Sequence, residues 1–246
     1  MKELIPLRIL ILGCMLPLVW ACRKQQPTNN PISTGNALLS VIQTDKAMYA
    51  PGASVHFSLH TKMPTGARIR YSHLAETIAE SSLSGREWQW TVPMSDFKGY
   101  LATIYLPLQD KDSVLATIAI DVSSQYKRFP RNGFLSSFGA KTQKEMNAVI
   151  EKLNRYHINV LQLQDWEYKH HMPLAGSIAN PAAQWKDIAN RDNYFRTVKY
   201  YVDAAHACNM KALSYNLAYG ALSDAAADGV ASGWYLFKDA AHTQPD

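Results

Sequence analysis

The chain has 246 residues, 47% hydrophobic and 18% charged, a balance that excludes a disordered or fibrous body and allows one or two globular domains at about 100–200 residues each. Its formal net charge of +5 includes no Lys/Arg run longer than a pair, so the focused basic stripe that a phosphate backbone requires is missing and no nucleic-acid partner is expected. Nine of the 13 Tyr follow residue 123, which concentrates aromatic surface in the second half.

Residues 1–21 read as a secretory signal: Lys2 near the start, an apolar stretch from Ile5 to Trp20, and a small residue, Ala21, before Cys22. The stretch is too short to span a bilayer. Val19-Trp20-Ala21-Cys22 resembles the bacterial lipobox, in which the Cys becomes the acylated N-terminus. Cys22 is thus the expected lipidation site, the membrane a partner through that anchor, and the bacterial cell envelope the expected location. Ordinary secretion with a free Cys22 thiol is the competing reading. With Cys14 removed and Cys22 acylated, Cys208 stands alone, so no intramolecular disulfide is expected. Residues 22–36 are polar, with Pro and Gly and no periodicity, as in a tether.

Residues 37–123 alternate with a period of two. Val55, Phe57 and Leu59 interleave with His56 and Ser58, and Val114, Ala116, Ile118, Ile120 and Val122 interleave with Leu115, Thr117 and Asp121, the signature of half-buried strands. Further strands are expected at 39–44, 67–72, 87–92 and 100–106, with turns at Pro51-Gly52, Pro64-Thr65-Gly66 and Asp110-Lys111-Asp112. Six or seven short strands in this span predict an immunoglobulin-like β-sandwich. Trp88 and Trp90 share one strand face and are read as packing residues, with a sugar-stacking platform as the alternative.

Phe129-Pro130-Arg131 marks a boundary, and residues 128–246 change rhythm. A strand over 133–138 precedes Thr142 and Glu145, which match the S/T-x-x-E capping box. Met146, Val149, Ile150, Leu153 and Tyr156 then repeat at helical spacing. A second strand, 160–164, ends in Asp165; a second helix, about 193–208, turns Phe195, Val198, Val202 and Ala205 inward; a third strand covers 211–215. Strand, helix, strand, helix, strand is a parallel run that presents strand C-termini to a cleft. No G-x-G-x-x-G opens a helix, so a dinucleotide-binding sheet lacks support and no cofactor is expected.

Asp165-Trp166-Glu167-Tyr168-Lys169-His170-His171 follows the second strand, and Ser214-Tyr215-Asn216 closes the third. A connection from 166 to 192 is long for a compact domain and too aromatic for disorder. Asp165, Trp166, Tyr168, His170, Trp185, Asn216 and Tyr219 combine a carboxylate, an amide, an imidazole and flat rings. These groups suit vicinal hydroxyls and pyranose faces. Asp165 has a structural alternative in pairing with Arg191. His170-His171 lacks a third ligand at a recognised spacing, so no metal is expected. His206 and Cys208 read as packed helix residues.

Arg128-Phe129-Pro130-Arg131-x-Gly133-Phe134-Leu135, Leu153-Asn154-Arg155-Tyr156-His157-Ile158-Asn159, Asp165-Trp166-x-Tyr168-Lys169-His170-His171, Trp185-x-Asp187-Ile188-Ala189-Asn190-Arg191 and Met210-Lys211-Ala212-x-x-Tyr215-Asn216-x-x-Tyr219-Gly220-Ala221, in this order, resemble glycoside hydrolase family 66. The resemblance covers about residues 37–246. It implies an immunoglobulin-like module ahead of a (β/α)8 barrel, and endo-dextranase or glucanotransferase activity on α-1,6-glucan (dextran or isomaltooligosaccharides) by a retaining mechanism. It also implies that Asp165 contacts the sugar at the cleavage point, and that the Asp nucleophile and Glu acid/base lie on later barrel strands. A barrel takes about 200–250 residues and 116 run from Arg131 to Asp246. The expectation is therefore a truncated barrel with no catalytic residues in this chain and no turnover by itself. Asp165 with Glu167 is the competing catalytic pair, and a non-catalytic surface glycan-binding lipoprotein is the competing function.

Overall fold

The computed structural model describes residues 41–218 and 220–244. The expected signal, the tether with Cys22, and Tyr219 lie outside the described residues. The first half holds β1 (Ile42–Thr44), β2 (Ser54–Leu59), β3 (Arg68–His73), β4 (Glu76–Ser82), β5 (Glu87–Thr91), β6 (Lys98–Leu106) and β7 (Ser113–Val122). They form two antiparallel sheets, ordered β1-β2-β5 and β4-β3-β6-β7. The alternation is the cause: Val55, Phe57 and Leu59 from one sheet and Ile69, Tyr71, Ala102, Ile104, Ile118 and Ile120 from the other meet in a single core. Trp88 stacks on Phe57 at 5.0 Å and donates its Nε1–H to Tyr71 Oη, 2.7 Å away, while Trp90 stacks on Tyr71 at 4.2 Å. Both indoles pack inward, as read. The one strand that the alternation missed is β4, whose residues are almost all exposed. It is a sheet edge with no buried face, and so leaves no period of two in the sequence.

The second half opens with β8 (Asn132–Leu135), α1 (Gln143–Arg155) and β9 (Val160–Leu163), and continues through α2 (Phe195–Ala207) to β12 (Lys211–Ser214). The three strands are parallel in the order β8-β9-β12. Thr142 and Glu145 make the capping box reciprocally, fixing where α1 starts. The helices touch each other on one face of the sheet, where Leu161, Leu163, Ile150, Val198, Tyr201 and Ala205 form the second core. Two helix expectations are corrected. Tyr156 is 63% exposed because the helix has already ended at Arg155, and His206 is exposed on the outer side of α2. The opposite sheet face carries Phe134, Gln162 and Leu213 in one register row, with Phe134 68% exposed. The long connection after β9 also contains a hairpin of its own, β10 (Gln184–Lys186) and β11 (Asp192–Tyr194).

Side-chain amides knit the halves together. Asn154 Nδ2 donates to Thr44 O at 2.7 Å, Asn209 Nδ2 to Met48 O at 2.7 Å, and Asn159 Nδ2 to Phe129 O at 3.0 Å. Ala47 N donates to Cys208 O at 3.0 Å, and the Arg131 guanidinium pairs with Asp121. Backbone carbonyls of Thr44, Met48, Phe129 and Cys208 are thereby satisfied at the junction.

Candidate functional site

Two loops leave adjacent strand ends. Leu163 pairs with Ser214 in register, and Tyr215 N–H donates to Leu163 O at 3.1 Å, so Asp165 and Asn216 emerge at equivalent places beyond β9 and β12. Asp165 sits at φ 51°, a left-handed conformation that Asp tolerates better than most residues. The strand ends there and the chain turns. Asp165 keeps a partly exposed carboxylate, 3.7 Å from Arg191 and 2.9 Å from Gln164 Nε2, whereas Glu167 is buried with no exposure.

The hairpin supports this rim. Trp166 O accepts from Trp185 Nε1 at 2.9 Å and from Asn193 Nδ2 at 3.2 Å, while Trp166 Nε1 donates to Tyr215 O at 3.1 Å. Trp166 thus ties β9's loop both to the hairpin and to β12's loop. Buried Asp187 accepts from the N–H groups of Ala189 and Arg191 and from Arg191 Nε, at 2.9, 2.9 and 2.7 Å, holding the guanidinium toward Asp165. Gly176, at φ 85°, permits the tight return of this loop, since a Cβ there would lie 2.7 Å from Ala182 N and Asn180 O.

The two loops are latched across their tips. Lys169 Nζ donates to Asp224 at 2.8 Å and Asp228 at 2.5 Å, and His171 Nε2 lies 2.8 Å from Asp228. The bonds to Asp224 and Asp228 raise the Lys169 ammonium's pKa above its ordinary range, and the bonds from Lys169 and His171 hold the Asp228 carboxyl below its own. His171, Asp224 and Asp228 offer ligand atoms within 4.8 Å of one another, but Lys169 already supplies the positive charge between the two carboxylates. Beside the latch lies an open cavity of about 520 Å³, lined among others by His170, Asn216, Trp234 and Tyr235. Trp234 is 84% exposed at its margin, an unpaired apolar ring next to hydrogen-bonding groups.

The sequence profile described as Glycosyl hydrolase family 66 matches residues 44–246. The chain belongs to that family. Two curated relatives are cycloisomaltooligosaccharide glucanotransferases of Niallia circulans: one is 29% identical over 95% of this chain and 25% of its own length, the other 27% identical over 89% and 24%. A crystal structure of a Paenibacillus sp. cycloisomaltooligosaccharide glucanotransferase complexed with cycloisomaltoheptaose superimposes with a TM-score of 0.71 and 31% identity, covering 81% of this chain and 30% of that one. The chain spans about a quarter of the length of the curated relatives it matches.

In this family 66 chain the residues expected to touch sugar divide. Asp165 and Asn216 lie on the rim with carboxylate and amide accessible, and His170 lines the cavity. Trp166 is half-buried, with its N–H spent on Tyr215 O, so one face of the ring is the most it can offer. Tyr168 packs against the second core with the Lys169 ammonium 5.2 Å from its ring centroid. Trp185 is corrected outright: it is 5% exposed and packs edge-on against Trp166 at 6.4 Å, so it shapes the loop and presents no face to a ligand. Asp165 and Glu167 do not share a face, because the turn at Asp165 sends one carboxylate to the rim and the other into the interior. The residues that sequence reasoning missed are Lys169, Asp224 and Asp228 in the latch, and Trp234. The latch joins positions more than fifty residues apart with no local pattern, whereas Trp234 stood in a Gly-Trp-Tyr run that could have been flagged.

Proposed function

We propose that this chain is the glucan-contacting N-terminal part of an extracytoplasmic α-1,6-glucan-acting enzyme, dextranase-like or glucanotransferase-like. In this reading residues 41–123 are an immunoglobulin-like sandwich, and β8, α1, β9, α2 and β12 are the opening units of a (β/α)8 barrel. The order of three parallel strands with both helices on one face supports the barrel, and the three-plus-four antiparallel sheets support the sandwich. The chain is anchored to the cell envelope through an acylated Cys22. Chemistry is retaining, with its Asp nucleophile and Glu acid/base outside this chain. Among the described residues, the other carboxylates near the rim are engaged or buried: Asp187 holds a turn, Asp224 and Asp228 share Lys169, and Glu167 is buried, which leaves Asp165, 3.7 Å from Arg191, as the accessible one. One accessible carboxylate does not make the open pair that retention requires.

The observation that carries the reading is the side-by-side emergence of Asp165 and Asn216 from paired strand ends beside the His170–Trp234 cavity. A carboxylate accepts from vicinal hydroxyls, an amide both accepts and donates, and an exposed indole covers the C–H face of a glucosyl ring. The binding of cycloisomaltoheptaose by the Paenibacillus relative makes α-1,6-glucan the ligand to test. Affinity electrophoresis of the purified chain through dextran should show retardation that Asp165→Asn and Asn216→Ala reduce, with no new reducing ends in solution. Robust release of reducing ends would sink the non-catalytic assignment, and unretarded migration would sink the glucan reading.

A further inference from the structure

Glu167 is buried with no exposure, and neither of its carboxylate oxygens has a hydrogen-bond partner among the described residues. Such a group is costly to keep in a folded protein, because it has given up water and received nothing in return. The neighbouring cations are committed: Lys169 to Asp224 and Asp228, and Arg191 to Asp187 and Asp165. The group that faces Glu167 is His170, whose Nδ1 lies 3.5 Å from Glu167 Oε1 and is itself buried without a partner. Each orphan is the other's remedy. A proton on His170 Nδ1 turns the contact into an N–H···O bond after a small adjustment of either side chain, whereas an Nδ1 lone pair there would face a carboxylate.

The next residue provides the contrast. His171 Nδ1 is met by the backbone N–H of Leu222 at 3.4 Å, and its Nε2 points at Asp228 at 2.8 Å. A donor facing Nδ1 and an acceptor facing Nε2 put the His171 proton on Nε2. The surroundings of these two adjacent imidazoles favour opposite tautomers. The ring of His170 is also bounded from β12's loop, since a Cβ at Gly220 would lie 3.5 Å from His170 Cδ2. The cavity that His170 lines with Asn216 and Trp234 meets this ring from outside.

We propose that Glu167 is a positioning residue acting through His170: its buried carboxylate accepts a hydrogen bond from His170 Nδ1–H, fixes the ring, and leaves Nε2 as a lone-pair acceptor for a hydroxyl of a sugar bound in the cavity. The ligand class rests on the α-glucan reading. The tautomer does not, and it is what the experiment measures. Long-range ¹H–¹⁵N correlation spectra of the full chain, recorded at alkaline pH where imidazoles are neutral, separate protonated from lone-pair ring nitrogens. His170 is assigned by the loss of its signals in His170→Gln. The expected result is His170 with Nδ1 protonated and His171 with Nε2 protonated. Glu167→Met removes the acceptor and should return His170 to the Nε2-protonated form that solvent-exposed histidines favour, while Glu167→Gln, which keeps an acceptor oxygen, should retain the Nδ1 form. His170 found Nε2-protonated in the unmodified chain would overturn the proposal whether or not either variant folds, as would a tautomer that Glu167→Met leaves unchanged. No glucan is present, so failure of the glucan reading cannot be mistaken for failure here.

Discussion

The two halves handle buried polarity in opposite ways. In the two antiparallel sheets, Tyr71 accepts from Trp88, Tyr105 donates to Glu80, and Glu80 also pairs with Arg70. Every buried side-chain nitrogen or oxygen without a partner among the described residues lies in the second half, on Asn154, Arg155, His157, Glu167 and His170. The most exposed aromatic residues among those described, Trp234 and Phe134, lie there too. A satisfied, alternating core is what stability alone produces. Asn154, Arg155 and His157 lie at the junction of the halves, whereas Glu167 and His170 lie beside the cavity, and orphaned groups kept at a cost beside a cavity concentrate where a protein binds or reacts. Under the proposed function, the antiparallel half is the support and the parallel half meets the glucan.

That contrast can be broken most forcefully at Trp185. If it is a packing residue, Trp185→Ala should cost about 3–5 kcal/mol of stability, read as a lower midpoint in denaturant, and loss of glucan retention should follow unfolding. Loss of retention with an unchanged midpoint would restore it as a sugar contact. Ile104, wholly buried in the sandwich, should lose about 2–5 kcal/mol on truncation to Ala, while leaving the rim's binding unaltered in whatever fraction stays folded.

Smaller effects sharpen the junction and the latch. Asn154→Ala leaves Thr44 O without its 2.7 Å partner and should cost about 1–3 kcal/mol, measurable by the same denaturation. His157 lies at this junction, and burial, reinforced by Arg131, depresses its pKa below the ordinary value. The unfolded chain then binds the extra proton first, so stability is complete above about pH 6.5 and declines as pH falls below it. His157→Gln should flatten that decline, and an unchanged slope would exonerate it. Asp228 has a depressed pKa through Lys169 and then His171, so the latch should persist above the ordinary carboxylate pKa of about 3.9 and open as pH falls through the lower folded value. Hydrogen exchange across residues 220–236 would report the opening, and Asp228→Asn should produce it at neutral pH. The smallest stability change belongs to Trp234→Ala: within about 0.5 kcal/mol, as for an exposed side chain, with weaker glucan retention.

Much of the architecture was legible because the chain's periodicities are local. The alternation of Val55, Phe57 and Leu59, the Thr142–Glu145 capping box and the spacing of Met146, Ile150 and Leu153 each lie within a few residues and each recur in the folded chain. β4 escaped because an edge strand with no buried face leaves no such trace. At the site, residue types were readable but directions were not. Asp165 and Glu167 are two apart and would share a face on a continuing strand, yet the left-handed turn at Asp165 separates them. Trp185 and Trp234 are the same residue type, and only packing decides that the first is interior and the second offers a ring to solvent.

The sequence by itself determined the succession of a β-rich half and a parallel half, the start of α1, and the cluster of sugar-compatible residues at two strand ends, since all of these follow from near-neighbour spacing. Tertiary structure alone decided the rest: the Lys169 latch to Asp224 and Asp228, the Asn154, Asn159 and Asn209 bonds at the junction, and the meeting of Glu167 with His170. Those contacts depend on where a turn or a loop returns the chain, and on which polar groups lose water together when it does.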